Sequence, residues 1–264
     1  MHVPEIETKP TVKLVVIDSL RWDTSQVAQT PNLDALFMKH GAQWIKSYAQ
    51  GTYTLPSHIA LFQGGHIPLN NLDPDAPPLL RYGGDKTMFR VNLNWTRNKK
   101  SHFAVPESEN LVKGFEALGY RTVGVGGVHW FDSRFKTSCD LWTQFFSEFY
   151  WHPEFSEEHI DGLLNQIAFV ESLALSKDNS PLFFFINISS THVPCRDDCS
   201  FEGQVNALEY VDENLPKLFN ALPSSGFTLI MSDHGTLFGE DGLYHHGFYH
   251  PKVMEIPMAY FTVE

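Results

Sequence analysis

The chain has 264 residues, 42% of them apolar, and a formal net charge of −12 at neutral pH. It is long enough to bury a sizeable core, and it contains no run of about 18 apolar residues of the kind a membrane-spanning helix needs. The acidic balance argues against a nucleic-acid backbone or an anionic membrane as main partner, yet a small anionic substrate stays compatible wherever a bound cation reverses the local field.

The first 13 residues lack the charged-then-apolar pattern of a secretory leader, which gives the expectation of a cytoplasmic location. Residues 12–17, VKLVVI, are rich in β-branched side chains and broken only by Lys13, so they predict a buried strand ending at Asp18. SLRWDTSQVAQ reads as a loop. Thr30 and Pro31 then supply an N-cap and a first-turn proline for a helix through about His40, closed by Gly41. Residues 43–49 alternate weakly and predict a short strand. In GTYTLPSHIALFQGG, Pro56 suits an early helical turn, and Ile59, Ala60 and Phe62 form an apolar face. The Thr54 hydroxyl is thereby expected near a helix N-terminus, where backbone donors and the dipole favour an anion.

Over residues 66–107 the pattern dissolves, as expected of a loop or cap insertion. Residues 107–118 predict an amphipathic helix ended by Gly119, and 120–125 a strand leading into GGVHWF, with His129 at its end. The stretch 130–155 is crowded with aromatics, among them Trp142 and Trp151. It reads as packing against the sheet, with an aromatic substrate pocket as the alternative. Helical spacing follows over 156–176. PLFFFINI, at 181–188, is the most apolar strand and runs into SSTHVP, so His192 lies just past its end. In PCRDDCS, Cys195 and Cys199 are close enough to bridge or to join a metal site, and free thiols are expected. A long amphipathic helix covers 201–222. Alternating strands and helices predict one domain with a mostly parallel sheet covered on both faces.

The last stretch, FTLIMSDHGTLFGEDGLYHHGFYHPKVMEIPM, opens with a β-prone run and puts Asp233 and His234 where that run ends. A carboxylate and an imidazole side by side suit zinc, manganese or iron better than calcium or magnesium, which prefer all-oxygen shells. Ligands of open α/β sheets collect beyond the carboxyl ends of the strands. Asp18, Thr54, His129, His192, Asp233, His234 and His246 are therefore expected at one edge. The segments 66–107 and 130–155 flank two of them and are expected to form the rim that selects the substrate.

In their order, VVIDSLRWD with TPNLDAL, GTYTLPSHIALFQG, GFEALGYRTVGVGGVHW, FFFINISSTHVP, YVDENLPKLFNAL with FTLIMSDHG, and GEDGLYHHGFYHPKVMEIPM resemble the alkaline phosphatase superfamily. Within it, the sulfatase-like and nucleotide pyrophosphatase/phosphodiesterase branches are the most similar, over nearly the whole length. The resemblance implies a three-layer α/β/α sandwich and a catalytic divalent transition metal, zinc first and manganese second. It puts Asp18, Asp233 and His234 on the metal and makes Thr54 both a ligand and the nucleophile, forming a covalent phosphothreonine. His246 is similar to the third histidine of the phosphatase and phosphoethanolamine-transferase branches, and His192 to the HxP histidine of sulfatases. Both are candidate catalytic groups and candidate ligands of a partial second metal site. His245 and His250 are expected to be ordinary loop residues, and Ser57, His58 and His129 to bind substrate.

Departures from the pattern separate the branches. Thr54 stands where a sulfatase has a Cys or Ser matured to formylglycine, and threonine cannot be so converted. His58 replaces the sulfatase arginine, Gly127 the lysine of GKWH, Ser19 a second aspartate, and Ser57 the oxyanion-binding asparagine of the pyrophosphatases. Ile188 falls where their second-zinc aspartate would be. The final core strand lies at the chain's end, which gives the expectation that the C-terminal subdomain of large sulfatases is absent. The expected activity is metal-dependent hydrolysis of a small anionic phosphoester, mono- or diester. The alternatives are phosphotransfer to an alcohol, sulfatase-like hydrolysis, and a non-catalytic ligand-binding relative.

Overall fold

The computed structural model describes residues 9–63, 110–132, 143–178 and 180–264, together with the backbone of 88–91 and 101–104. In chain order the strands are β1 (Val12–Ile17), β2 (Ile45–Tyr48), β3 (Met88–Val91), β4 (Ser101–Ala104), β5 (Arg121–Val125), β6 (Glu148–Tyr150), β7 (Leu182–Ile188), β8 (Gly226–Met231), β9 (Leu237–Phe238), β10 (Tyr244–His245) and β11 (Glu255–Val263). The helices are α1 (Trp22–Val27), α2 (Pro31–His40), α3 (Thr54–Gln63), α4 (Leu111–Ala117), α5 (Gly162–Ser172), α6 (Phe201–Asn220) and α7 (Pro251–Met254). Seven strands form one sheet in the order β2-β11-β8-β1-β7-β5-β6, in which β11 alone runs against its neighbours.

Period-two alternation in the central strands explains the three layers. Val15 and Ile17 of β1, with Phe184, Ile186 and Ile188 of β7, face one core, closed by Leu33 and Phe37 of α2, Leu163 and Ile167 of α5, and Leu208, Val211 and Leu215 of α6. Leu14 and Val16, with Phe183 and Phe185, face the other, closed by Leu55, Ile59 and Phe62 of α3 and Val112 of α4. The sheet is thus buried on both sides, as continuous apolar runs require, each such side chain contributing about 1.5–3 kcal/mol. The expected α/β/α sandwich is present. Among the described residues no helix is long and apolar enough to cross a membrane.

Several local expectations need correction. The stretch after Asp18 is not all loop: α1 forms there, burying Thr24 and Ser25. Thr30 makes no cap bond with its side chain; Asp212 of α6 instead accepts from the backbone N–H of Asn32 (3.1 Å) and Leu33 (2.7 Å), satisfying donors that a helix start leaves open. The helix expected over 156–176 is confined to α5, with a 3-10 turn at Leu175–Lys177. Within 66–107, β3 and β4 pair antiparallel, and the rest of that segment lies outside the described residues, as does Trp142. The expectation for the cysteines needs no such change: Cys195 and Cys199 are both free thiols, the first buried with its pKa pushed up to about 12 by burial, the second exposed.

Lys13 is the anomaly of β1. It is 2% exposed, and its Nζ donates to the carbonyls of Ser224 (3.3 Å) and Ser225 (3.0 Å). Burial lowers its pKa to about 8. A base whose folded pKa lies below its unfolded value makes the unfolded chain bind more protons between the two, so its contribution to stability rises with pH there. Urea melts should therefore show the stability of the wild type relative to Lys13→Met improving between about pH 8 and pH 10.5, the ordinary lysine value. A difference that does not change with pH would contradict the burial of the amine.

Candidate metal centre

Strands β8, β1 and β7 are neighbours, and their carboxyl ends deliver the chemistry. Asp18 follows β1 directly and its N–H still bonds to Ile188 O (2.9 Å), one step beyond the strand register. Asp233 and His234 follow β8, and His192 follows β7. Thr54 enters from the start of α3. One ligand atom from each of Asp18, Asp233 and His234 lies within 4.8 Å of the others, all three buried. Thr54 Oγ1 is 3.4 Å from Asp18 Oδ2 and 3.4 Å from His234 Nε2. His234 Nε2 in turn is 3.5 Å from Asp233 Oδ2.

The surroundings aim these atoms inward. His234 Nδ1 lies 2.8 Å from Gly235 O. A carbonyl only accepts, so Nδ1 carries the proton and Nε2 turns its lone pair to the cluster. Asp233 Oδ1 accepts from the N–H of Ser19 (3.1 Å) and of His234 (3.0 Å), while Asp233 Oδ2 is buried with no hydrogen-bond partner. A buried carboxylate oxygen left so costs about 1–3 kcal/mol or more unless a cation or donor meets it. Asp18 Oδ2 accepts from the Asn187 amide (2.9 Å) and Asp18 Oδ1 from Ser19 Oγ (2.9 Å). Gly235 is required by close approach: a Cβ there would lie 2.0 Å from Lys252 O, against which the loop is pinned by Gly235 N–H to Val253 O (2.7 Å).

Two buried carboxylates cannot both ionise cheaply. Burial and then Asp18 push the Asp233 pKa well above the usual range. Burial acts in the same direction on Asp18, but the electrostatic influence of the His192 and His234 rings and the Asn187 amide outweigh it and leave that group below its ordinary value. Burial lowers His234 to about 4, keeping it neutral and fit to ligate. Two carboxylates, one neutral imidazole and a hydroxyl around an unpartnered oxygen fit a divalent cation, whose charge would let both acids ionise.

His246 and His192 stand alongside. The rings of His234 and His246 are 4.5 Å apart, and those of His246 and His192 are 5.2 Å apart. His246 Nδ1 is 3.3 Å from Thr236 Oγ1, and burial, before the neighbouring histidines, holds His246 well below its ordinary pKa. His192 Nδ1 donates to Val193 O (2.7 Å). His245 is exposed, and His250 caps α7 by accepting from Lys252 N–H (3.0 Å).

The three residues expected to bind substrate fare differently. Ser57 lies in the first turns of α3, its buried hydroxyl without a partner. His58 corrects the expectation. It is wholly buried among Phe62, Phe131 and Phe185, and its Nδ1 donates to Thr54 O (2.9 Å) and lies 3.6 Å from Asp233 Oδ2, so it braces the Thr54 backbone within the core. His129 pairs with Glu157 (3.0 Å), whose hydrogen bond raises the histidine pKa, and its ring lies 5.7 Å from Trp151. These contacts keep it at the end of β5 rather than in the cluster. Gly127, where sulfatases have a lysine, has no room for a side chain: a Cβ would fall 2.4 Å from Asn187 O. Of the aromatic stretch, Phe131 and Phe146 belong to the core on the α3 side, and Trp130 lies 5.8 Å from Tyr53.

Of the supporting groups, only the Ser19 position is marked in the sequence, where sulfatases have a second aspartate; Asn187, Thr191 and Gln204 are not read from it as parts of the site. Asn187 had a signal, as the one polar residue within β7. Gln204 had a fainter one, as an amide on the apolar face of an amphipathic helix.

A three-layer sandwich with this carboxylate, imidazole and hydroxyl cluster beyond its central strands defines the alkaline phosphatase superfamily, whose members mostly act on phosphate or sulfate esters. The chain belongs to the Sulfatase family, whose profile matches residues 10–258. No curated protein sequence matches it. Its fold is similar to the C-terminal periplasmic domain of EptC from Escherichia coli in complex with zinc, with a TM-score of 0.67 and 13% identity over 97% of this chain and 74% of that one. It is similar also to the integral membrane lipooligosaccharide phosphoethanolamine transferase A from Neisseria meningitidis, with a TM-score of 0.63 and 16% identity over 100% of this chain. This chain spans 49% of that protein, about half. A third neighbour is the lipoteichoic acid synthase LtaP from Listeria monocytogenes, with a TM-score of 0.60 and 15% identity over 96% of this chain and 65% of that one.

Proposed function

We propose that the protein is a metal-dependent phosphoester hydrolase that uses Thr54 as nucleophile. The observation that carries this reading is the convergence of Thr54 Oγ1 on Asp18 and His234 beside Asp233 Oδ2, which accepts no hydrogen bond. Asp18, Asp233, His234 and Thr54 would hold a transition metal, zinc by choice of donors. When bound, it would supply Lewis-acid charge that stabilises the Thr54 alkoxide and the phosphoryl oxygens.

The chain's own groups do the rest. The start of α3 favours negative charge on Thr54. Thr54 Oγ loses its proton and attacks phosphorus in line; the bond from phosphorus to the leaving alcohol breaks, and that alcohol takes up a proton. Water then attacks the phosphothreonine, phosphate departs, and Thr54 regains its proton. His246, kept neutral by burial, and His192 beside it would accept and return these protons. The Ser57 hydroxyl is free to donate to a phosphoryl oxygen. With no formylglycine precursor and no room for a cation at residue 127, sulfate esters are disfavoured.

Purified protein should cleave an activated aryl phosphate or phosphodiester, lose that activity to a chelator and regain it with zinc or manganese. An aryl sulfate should stay a poor substrate throughout. Faster turnover of the sulfate would overturn the phosphoester reading. The phosphoethanolamine transferase among the structural neighbours favours a second reading, in which an alcohol replaces water in the second step. Adding an alcohol acceptor and measuring phosphorylated alcohol against free phosphate separates the two.

A further inference from the structure

Helix α6 turns Val205, Leu208, Val211 and Leu215 into the core, and on that same buried side it carries Gln204, which is 0% exposed. An uncharged amide in such a place is costly unless its donors and acceptors are met. Each of its atoms has two partners. Nε2 donates to Ser19 O (2.8 Å) and Thr191 O (3.1 Å), and Oε1 accepts from Thr24 Oγ1 (2.7 Å) and Arg21 N–H (3.4 Å).

Ser19 is a non-glycine residue in the left-handed region, at φ 60°, a strained conformation that persists only where its surroundings hold it. In that conformation its N–H reaches Asp233 Oδ1 (3.1 Å) and its Oγ reaches Asp18 Oδ1 (2.9 Å), so one residue ties the acid from β1 to the acid from β8. Thr191 Oγ1 donates to Asp18 O (2.5 Å) and lies next to His192. The two carbonyls that Gln204 holds belong to these two residues. Among its contacts, only the Thr24 and Arg21 bonds have no such link to the carboxylates.

We infer that Gln204 is a positioning residue for the cation centre: its two donated hydrogen bonds hold the Ser19 turn and the Thr191 segment, and through them fix the spacing and orientation of Asp18 and Asp233. This rests on reading the Asp18, Asp233 and His234 cluster as a cation site. Groups that hydrogen-bond the ligands themselves typically change metal affinity by about 10–100-fold, and Gln204, which acts one step further out through Ser19 and Thr191, is expected at the lower end of that range.

The test uses the full chain, stripped of metal and titrated with zinc against a chromophoric chelator, with the visible spectrum of the cobalt(II)-loaded protein as second readout. Thr24→Val is the control, because it removes a hydrogen bond from the same amide without touching Ser19 or Thr191. Gln204→Leu should bind zinc about tenfold more weakly than wild type and shift the cobalt bands, while Thr24→Val keeps wild-type affinity and spectrum. If Gln204→Leu does not fold, Gln204→Glu, which keeps the shape and the acceptor side, should show the same loss. Zinc affinity and cobalt spectrum unchanged in a folded Gln204 variant would overturn the inference and leave the cation site standing. A wild type that binds neither zinc nor cobalt would overturn the site itself.

Discussion

Thr54→Ala should lower turnover of the best phosphoester by a factor of about a thousand or more, the scale on which nucleophilic catalysis is lost, while Thr54→Ser keeps part of it. The expectation follows from where the hydroxyl sits. Thr54 is 0% exposed, its Oγ1 is equidistant from Asp18 and His234, and the His58 bond to its carbonyl holds the first turn of α3 in place. Serine keeps the attacking oxygen but loses the methyl group that limits its rotamers, so partial activity is expected rather than none. Zinc content separates this effect from loss of the metal: three ligands remain in Thr54→Ala, and it should still load. Steady-state rates at saturating substrate check the prediction, and a Thr54→Ala rate equal to wild type would shift the nucleophile to a water molecule.

The second large effect is on the metal itself. Asp233→Ala removes the carboxylate whose Oδ2 accepts no hydrogen bond, and with it the acceptor of the Ser19 and His234 N–H groups. A direct ligand is lost together with part of the network that shapes the site, so affinity should fall by more than the roughly 10–100-fold typical of supporting groups. Elemental analysis should find about one zinc or manganese per wild-type chain and little in Asp233→Ala. Added zinc should also raise the melting temperature of the wild type and not that of the variant, since a ligand that binds only the native state stabilises it by mass action. Equal metal content in the two proteins would remove Asp233 from the ligand set.

Much of this site is legible in the sequence because its members terminate apolar runs. Asp18 and Asp233 end strands whose composition announces them, and Thr54 precedes a proline that suits a helix start. The orientation of His58 is not legible. Every residue of α3 from Thr54 to Ala60 is buried, so no periodicity tells an inward face from one turned to the site. The pairing of His129 with Glu157 is hidden because the acid comes from a turn 28 residues away. Gln204 and Asn187 show only that a polar group interrupts an apolar surface. Their partners, Ser19 and Asp18, lie 185 and 169 residues distant and meet them only once the sheet is assembled. Helix α1 escapes notice because what it buries is Thr24 and Ser25, held by hydrogen bonds rather than an apolar stripe.

The claim that joins fold, metal and nucleophile is that a phosphoryl group passes through Thr54. Incubating the zinc-loaded protein with a slowly turned-over aryl phosphoester, quenching in acid and mapping peptides by mass spectrometry tests it most directly. The expected result is one phosphoryl group on the peptide containing Thr54, absent after chelation and absent in Thr54→Ala. Turnover without any adduct on that peptide, together with full activity in Thr54→Ala, would contradict it.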